Sequence, residues 1–273
     1  MDHHMTMRRC GVALAVTVAL LLPYGRTAQA APRSWWKPRA SAALSWQIQF
    51  TGRVDLGVRA DVFDLDGAAT TRAQVTTLHK RGSKAICYVS AGSYEDWRAD
   101  AAAFPPDVLG ADLAGWPGEK WLDVRRWDVL GPIMRGRFQS CAAKGFDAVD
   151  PDNLDGYANA NGLGLTAADQ LTYNRRIAAL AHGLGLAVGL KNDLDQVSRL
   201  VRAFDFAVNE QCAYYRECAE LSPFVAAGKP VFEIEYEVAT PVFCPAARKL
   251  GFTAIRKKQA LSEWRQTCQS AAR

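Results

Sequence analysis

Short apolar runs alternate with amphipathic segments along the chain from about residue 45 onward. The apolar runs have the length and composition of buried strands, and the segments between them repeat their apolar residues at helical spacing. The predicted strands cover 45–50, 62–66, 84–89, 146–149, 186–190, 204–209, 230–234 and 252–255. The predicted helices cover 71–81, 129–144, 167–183, 194–203, 219–227 and 241–250. Thr166 is placed to cap one of these helices and either Thr71 or Thr70 another, and Gly82 and Gly145 are placed to end two of them.

The alternation of eight strands with helices predicts the fold class. Strands separated by helices must pair in parallel through right-handed crossovers. About 240 residues follow residue 30, which is the usual size of an α/β barrel. We therefore predict an α/β protein with one (β/α)8 TIM-barrel domain over residues 45–273. An open doubly wound sheet is the alternative. The polar, Pro- and Gly-rich segment 94–123 is too long for an ordinary loop and is expected to be functional or disordered.

The N-terminus predicts export. Arg8 and Arg9 precede a 12-residue apolar run, and an Ala-Gln-Ala sequence at 28–30 resembles a cleavage site. Residues 1–30 are therefore predicted to be a signal peptide cleaved near Ala30, and residues 31–44 a linker or loosely docked arm. The apolar run is too short to cross a bilayer, and no later run is long enough. The expected location is extracellular, with no membrane span.

Charge excludes one class of partner. The predicted signal peptide carries three arginines against one aspartate, so its removal lowers the net charge from +5 to about +3. A charge this small, without an arginine-rich patch or an aromatic RNA-binding signature, does not indicate nucleic acid.

Six of the seven cysteines follow the predicted signal peptide. An even number in an oxidising compartment favours three disulfides, although six cysteines allow fifteen pairings. Cys212 and Cys218 are the pair that we predict, because they are close enough to close one loop. Zinc is the competing interpretation, but no CxxC pair with matching histidines is present. No metal or other cofactor is predicted.

Acidic residues follow one predicted strand after another. The segment 146–157, FDAVDPDNLDGY, places Asp150, Asp152 and Asp155 at and beyond the end of a strand, where Pro151 is expected to stop regular pairing. The repulsion of clustered like charges disfavours folding, so function is the better explanation of this loop. In a TIM barrel the carboxyl ends of all strands meet at one face, where the active site lies. The polar residues at other strand ends are Asp64, Asp66, Tyr88, Ser90, Lys191, Asn192, Asp193, Asn209, Glu210, Gln211, Glu233, Glu235 and Tyr236.

The positions of the histidines exclude several kinds of catalytic site. Only His79 and His182 follow the predicted signal peptide, and both lie in predicted helices away from strand ends. This excludes a Ser-His-Asp triad and a Cys-His pair, and no GxSxG sequence is present. Any catalytic groups must therefore be carboxylates. Most glycosidases use two carboxylates, one on each side of the bond that is cleaved. Aromatic side chains near the strand ends could stack on sugar rings, namely Trp46, Tyr88, Trp97, Trp116, Trp121, Tyr157 and Tyr236.

A series of motifs carries a family resemblance. WQIQF, VFDLD, KAICYVSAGSYEDWRAD, GWPGEKWLD, GFDAVDPDNLDGY, GLKND, FAVNEQCAYYREC and FEIEY occur in this order over residues 46–236. Together they resemble the endo-α-1,4-polygalactosaminidase family of glycoside hydrolases. The resemblance implies a secreted TIM barrel that cleaves α-1,4-linked galactosamine polymers with retention at the anomeric carbon.

The resemblance also implies a catalytic pair. The Asp of PDN and the Glu of NEQC correspond to Asp152 and Glu210, expected to be the nucleophile and the acid/base respectively. The family often has Glu before this PDN motif, where this chain has Asp150, which keeps the charge with a shorter reach. The other residues predicted to contact substrate are Asp64, Asp66, Tyr88, Asp150, Asn153, Asp155, Tyr157, Lys191, Asn192 and Glu235. The carboxylates among them would attract the ammonium groups of the polymer, and Lys191 would pair with one carboxylate.

Two other functions remain open from the sequence. A barrel of this kind can bind carbohydrate without cleaving it. A phosphate-handling barrel would need Gly-rich loops after its last two strands, and the segments there lack glycine, although Lys257 and Lys258 are present. The sequence does not determine the oligomeric state.

Overall fold

The computed structural model describes residues 1–2, 34–40 and 44–268. The predicted signal peptide, apart from its first two residues, and parts of the predicted arm lie outside the described residues. The strands are β1 (Trp46–Gln49), β2 (Val62–Asp66), β3 (Lys84–Ser90), β4 (Ser93–Glu95), β5 (Leu109–Asp112), β6 (Glu119–Leu122), β7 (Ala148–Asp152), β8 (Ala187–Lys191), β9 (Phe206–Glu210), β10 (Val231–Glu235), β11 (Thr253–Arg256) and β12 (Gln266–Thr267). The helices are α1 (Arg72–Lys80), α2 (Trp127–Lys144), α3 (Ala167–Gly183), α4 (Val197–Leu200), α5 (Cys212–Tyr215), α6 (Ser222–Ala226) and α7 (Thr240–Leu250).

Eight parallel strands form the barrel sheet in the order β1-β2-β3-β7-β8-β9-β10-β11, and β12 pairs antiparallel to β11. The predicted α/β barrel is thereby confirmed. Loop and side-chain contacts link the first and last parallel strands. The buried Lys257 donates to the Gln47 side chain at 3.1 Å, and the amide of Phe50 donates to the carbonyl of Leu261 at 2.9 Å.

Two predicted helix starts are confirmed in detail. Thr71 and Thr166 each form a capping box. The threonine hydroxyl accepts from the backbone amide three residues later, and the side chain of that later residue accepts from the backbone amide of the threonine. Gly145 ends α2 with a φ of 93°, in the left-handed region that glycine tolerates. The predicted helix over 194–203 is shorter, because residues 194–196 form a 3-10 turn ahead of α4.

The strand that begins the acidic segment is longer than predicted. Pro151 was expected to stop regular pairing, yet β7 pairs with β3 as far as Asp152. On its other side, β7 pairs with β8 only through Ala148 and Val149. A proline removes a donor from one side of a strand, so Pro151 ends the pairing toward β8 alone.

The side chains of the strands alternate between two apolar clusters. Those that point inward fill the barrel, and those that point outward pack under the helices. The inward set includes Val62, Ile86, Ala148, Phe206, Phe232 and Ile234. Because the direction of a side chain is fixed by parity, these residues also determine which polar side chains further along each strand point into the barrel.

The long polar segment after β3 is an ordered sheet. β4, β5 and β6 pair antiparallel in the order β4-β6-β5, separately from the barrel sheet. The segment was expected to be functional or disordered, and it is ordered. The sequence did not indicate its strands, because they are only three or four residues long and are separated by segments that contain proline and glycine. They obtain stability from pairing with one another, which a local hydrophobic pattern does not reveal.

All six cysteines after the predicted signal peptide are paired, as Cys87–Cys141, Cys212–Cys218 and Cys244–Cys268. The prediction of three disulfides and of the Cys212–Cys218 pair is confirmed. Cys87–Cys141 joins β3 to α2 and thereby encloses the β4–β6 sheet.

In the predicted arm, the indole of Trp35 donates to Asp205 and stacks on His182. No helix in the described part of the chain has the length and apolar character needed to cross a membrane.

The disulfides differ in the length of chain that they close, which predicts different contributions to stability. Replacement of Cys87 and Cys141 by serine should lower the free energy of unfolding by about 4 kcal/mol. The two cysteines are 54 residues apart, so loss of the crosslink gives the unfolded chain much more conformational freedom. The same change at Cys212 and Cys218, six residues apart, should cost about 2 kcal/mol. Urea denaturation of both variants measures the difference, and equal losses would contradict the prediction.

Candidate active site

The carboxyl end of the barrel brings together the inward-facing residues of neighbouring strands. By parity with the apolar residues below them, Asp64, Tyr88, Asp152, Lys191 and Glu210 point into the barrel. They come from β2, β3, β7, β8 and β9, which are consecutive in the sheet. The strand order therefore places these side chains next to one another despite their separation in sequence.

Lys191 lies at the centre of this group. Its ammonium is 3.2 Å from Oδ1 of Asp152, 3.4 Å from Oε2 of Glu210 and 3.8 Å from Oδ2 of Asp150, and its side chain is 2% exposed. Burial alone would lower the pKa of Lys191. The carboxylates of Asp152, Glu210 and Asp150 outweigh burial and hold this pKa well above its ordinary value. Lys191 is therefore a charged counter-ion to three carboxyl groups, rather than to one as predicted.

Asp152 is held from three directions. The hydroxyl of Tyr88 donates to its Oδ2 at 2.9 Å, and the amide of Asn153 donates to its Oδ1 at 2.9 Å, beside Lys191. Asn153 has a φ of 62°, in the left-handed region. Gly92 packs against this turn so closely that an added Cβ would lie 1.7 Å from the carbonyl oxygen of Asn153. These contacts fix the direction in which the carboxylate points.

Glu210 is held in a similar way from β8 and from the residue after β10. The hydroxyl of Tyr236 donates to its Oε1, and Lys191 meets its Oε2. The side-chain oxygen of Asn192 accepts from the backbone amide of Glu210 at 3.0 Å. The side chains of Asp152 and Glu210 are 18% and 24% exposed, so both reach solvent while their hydrogen-bond partners restrain them.

Asp64 and Asp150 lie beneath this pair and are fully buried. They were predicted to contact substrate, and the structure places neither of them in the cavity lining. Burial, with the neighbouring Asp150, raises the pKa of Asp64 well above its ordinary value. Burial also raises the pKa of Asp150 to about 7, although Lys191 acts in the opposite direction. At least one of the two carboxyl groups therefore keeps a proton at neutral pH.

A cavity of about 730 Å³ opens above Asp152 and Glu210. Its aromatic lining comprises Phe50, Tyr88, Trp97, Trp116, Trp121, Tyr215 and Tyr236. Its charged lining comprises Asp66, Glu95, Asp112, Glu119, Asp152, Asp155 and Glu210, with Arg98 and Lys191 as the basic residues. Among the described residues, the lining thus has a clear excess of acidic side chains.

Predicted residues other than the central pair reach the cavity to different degrees. Asp66, Asn153, Asp155 and Asn192 line it, as do Tyr88 and Lys191. Asp66 is paired with Arg98 at 2.8 Å. For Asp155, burial raises the pKa to about 6, with the charge of Asp152 adding to the effect.

Tyr157 and Glu235 were also predicted to contact substrate, and the structure places both outside the cavity lining. Tyr157 does not line the cavity, and its hydroxyl interacts with Asp193 and Gln196. Glu235 has the outward parity of β10 and is buried, where it accepts from the amide of Ala213 at 2.7 Å. It therefore supports α5, the short helix that follows Glu210.

Trp46 and the group of Cys212, Cys218 and Glu233 bear on the predictions about aromatic residues and metals. Trp46 is fully buried in the barrel core and does not line the cavity. Among the described residues, Cys212, Cys218 and Glu233 bring possible metal-ligand atoms within 4.8 Å of one another. The two sulfurs are bonded to each other in a disulfide and so offer no thiolate.

The sequence interpretation missed the acids of the antiparallel sheet. Glu95 and Glu119 line the cavity from β4 and β6, and Arg98 lies beside them. All three belong to the segment that was taken for a loop. The motif GWPGEKWLD contains Glu119 and was noted for its family resemblance, but nothing in its spacing indicates the direction of that side chain.

Comparison with known proteins identifies the family. The model of glycoside-hydrolase family GH114 matches residues 25–273. The chain belongs to this family and is a glycosidase, which confirms the resemblance carried by its motifs. No curated protein matches the chain significantly.

Solved structures support the same assignment. Ega3 from Aspergillus fumigatus, determined in complex with galactosamine, is 37% identical with a TM-score of 0.82. The match covers 86% of this chain and 98% of that one. The glycoside hydrolase domain of PelA from Pseudomonas aeruginosa is 17% identical with a TM-score of 0.66, over 82% and 98% of the two chains. The second likeness shows a shared fold.

The position of Lys191 predicts a pH-dependent loss of stability. Lys191→Met leaves buried carboxylates without their cation, which should lower the free energy of unfolding by about 3–5 kcal/mol at pH 8. The loss should be smaller at pH 5. Carboxyl groups whose folded pKa is raised stabilise the fold while protonated, and this contribution disappears as pH rises through the raised pKa.

Urea denaturation at both pH values measures the effect. Lys84→Met is the matched control, because it removes a 42% exposed lysine from Asp147 and should cost about 1 kcal/mol or less. An equal loss at pH 5 and pH 8 for Lys191→Met would contradict the interpretation.

Proposed function

We propose that this GH114 member is a secreted endo-glycosidase that cleaves α-1,4-linked galactosamine polymers by a two-carboxylate retaining mechanism. The observation that carries the proposal is the contact of one buried ammonium, that of Lys191, with both Asp152 and Glu210 at the base of an open cavity. Paired carboxylates at such a position match the requirements of glycoside cleavage.

The substrate class rests on charge and on similarity. A galactosamine polymer carries an ammonium group on each deacetylated sugar, and the acidic excess of the cavity lining favours such a ligand. The 37% identical Ega3 was determined with galactosamine, which supports the same sugar for this chain. The exposed Trp97 and Trp116 at the cavity offer ring faces on which pyranose rings can stack.

In the proposed mechanism, Asp152 is the nucleophile and Glu210 the acid/base. Protonated Glu210 gives its proton to the leaving oxygen while a carboxylate oxygen of Asp152 bonds to the anomeric carbon and the glycosidic bond breaks. Glu210, now ionised, then takes a proton from water, whose oxygen attacks the anomeric carbon and releases Asp152. The donors Tyr88 and Asn153 direct Asp152 toward the sugar.

Lys191 has a role that follows from its distances. In the first step the negative charge leaves Asp152, which becomes an ester, and appears on Glu210, which loses its proton. Lys191 lies 3.2 Å from the first carboxylate and 3.4 Å from the second, so it can stabilise the charge at both places without moving. A buried, preorganised charge of this kind requires little reorganisation during reaction.

The same distances bear on the stereochemical outcome. The oxygens of Asp152 and Glu210 that face Lys191 both lie within 3.4 Å of its Nζ, so they are separated by no more than twice that distance. Retaining glycosidases separate their carboxyl groups by about 5–5.5 Å and inverting ones by about 6.5–9.5 Å. A separation within this limit is compatible with the spacing of a retaining pair, which supports the proposed retention.

The other polar residues of the cavity are proposed to bind substrate. Asp66, Asp155, Asn153 and Asn192 present oxygens or amides at its surface beside the catalytic pair. Secretion is proposed from the signal sequence over residues 1–30, and the three disulfides support an oxidising location.

Removal of either carboxylate should abolish turnover. Asp152→Asn and Glu210→Gln should each lower kcat on an α-1,4-galactosamine polymer roughly a thousandfold or more, measured as release of reducing ends. Asp195→Asn, an exposed aspartate outside the cavity, is the control and should retain activity. Wild-type binding without turnover would instead favour the carbohydrate-binding alternative.

The anomeric configuration of the first product tests the mechanism separately. Proton NMR of a fresh digest should show the α-anomer before mutarotation, because two successive displacements restore the starting configuration. A β-anomer as the first product would contradict the retaining mechanism while leaving the glycosidase assignment intact.

A further inference from the structure

Two glutamates face each other across the antiparallel sheet. Glu95 on β4 and Glu119 on β6 are register partners, and both are buried and line the cavity. Like charges directly opposite on neighbouring strands destabilise a sheet, and burial increases that effect. The pair therefore requires either a neighbouring positive charge or a proton on one of the two carboxyl groups.

The protein compensates only one of them. Arg98 donates two bonds of 2.7 Å to the two carboxylate oxygens of Glu95 and reaches Asp66 with a third. Among the described residues, no cation lies within ion-pair distance of Glu119. Its Oε2 accepts from the hydroxyl of Ser93 at 2.7 Å, and no described residue donates to its Oε1.

Glu119 is close to the proposed catalytic centre. The hydroxyl of Ser93, which donates to Glu119, accepts from the side-chain amide of Asn153 at 3.0 Å. The backbone amide of Asn153 in turn donates to Asp152. A chain of hydrogen bonds therefore links Glu119 to Asp152, and both residues line the same cavity.

We propose that Glu119 is a specificity-determining residue that binds the ammonium group of an amino sugar, so that the ligand supplies the cation missing from the Glu95–Glu119 pair. This inference rests on the proposed function and adds to it the residue that distinguishes a free amine from an N-acetyl group. An acetamide is neutral and bulkier, so it cannot complete the ion pair.

Among the acids that line the described part of the cavity, one competitor exists. Asp66 and Glu95 are paired with Arg98, Asp112 with Lys120, and the catalytic pair with Lys191. Asp155 also has no cation within ion-pair distance. Glu119 is 6% exposed and part of a rigid strand pair, which gives it the better defined geometry.

The inference has a pH dependence. Burial raises the pKa of Glu119 to about 7, with the charges of Glu95 and Asp152 adding to this effect and Ser93 and Arg98 opposing it. Glu119 is therefore neutral below pH 7 and ionised above it. Preference for a protonated amine should rise as pH increases through 7, for as long as the sugar ammonium keeps its proton.

The test compares α-1,4-linked galactosamine oligosaccharides with their fully N-acetylated counterparts. The measured quantity is the ratio of kcat/KM for the two substrates between pH 6 and 8. Glu119→Gln should lower this ratio about tenfold to a hundredfold at pH 7.5 and remove its rise with pH, because a charged hydrogen bond is lost. The value for the acetylated substrate should change little.

Two variants serve as comparisons. Asp107→Asn removes an equal charge from the segment that precedes β5, outside the cavity, and should leave the ratio unchanged. Asp155→Asn tests the competing acid. Calorimetry of galactosamine and N-acetylgalactosamine binding to the Glu210→Gln variant, with and without Glu119→Gln, gives the same preference independently of turnover.

The outcomes separate the two proposals. If the wild type cleaves neither substrate, the proposed function fails. If the wild type is active but Glu119→Gln lowers both substrates equally, or if Asp155→Asn alone removes the preference, the assignment to Glu119 is overturned.

Discussion

The active end of the barrel depends on one buried ammonium. Asp150, Asp152 and Glu210 point into the same space from neighbouring strands, and Lys191 among them offsets a repulsion that would otherwise destabilise the fold. The same ammonium fixes the separation of the two carboxylates proposed to react and supports the negative charge on each in turn. Stability and the proposed chemistry therefore rest on one contact network, which explains why the fold tolerates so much acid at one point.

Much of the fold could be predicted because the barrel depends on local patterns. Strand and helix alternation, the Thr71 and Thr166 caps and the Gly145 stop are properties of short segments. The acids of β7 and β9 could also be located, since parallel strands deliver their ends to one face. What local patterns left open was the direction of individual side chains. In FEIEY the acids alternate with large apolar residues, and only the core below shows that Phe232 and Ile234 point inward. Tyr236 therefore reaches Glu210 and Glu235 does not.

The sequence also did not show how deeply a side chain is buried or which short strands pair with each other. Asp64 and Asp150 have inward parity, but the sequence does not show that a layer of side chains separates them from the cavity. The antiparallel sheet was missed because its strands are stabilised by one another across 30 residues of polar chain. Glu95 and Glu119 become opposite neighbours only through that pairing. A site assembled from two such strands leaves no periodic signal in the chain.

The Cys87–Cys141 disulfide has a consequence beyond stability. It bonds β3, before the antiparallel sheet, to α2, after it. The two ends of the segment that contains β4, β5 and β6 are therefore held together by a covalent bond. The position of both ends of this segment is therefore fixed independently of its sheet pairing. The proposed catalytic carboxylates lie outside it on β7 and β9, whereas Glu119 lies within it. Changes within this segment can therefore alter the proposed contact of Glu119 with substrate while both ends of the segment stay anchored to the barrel.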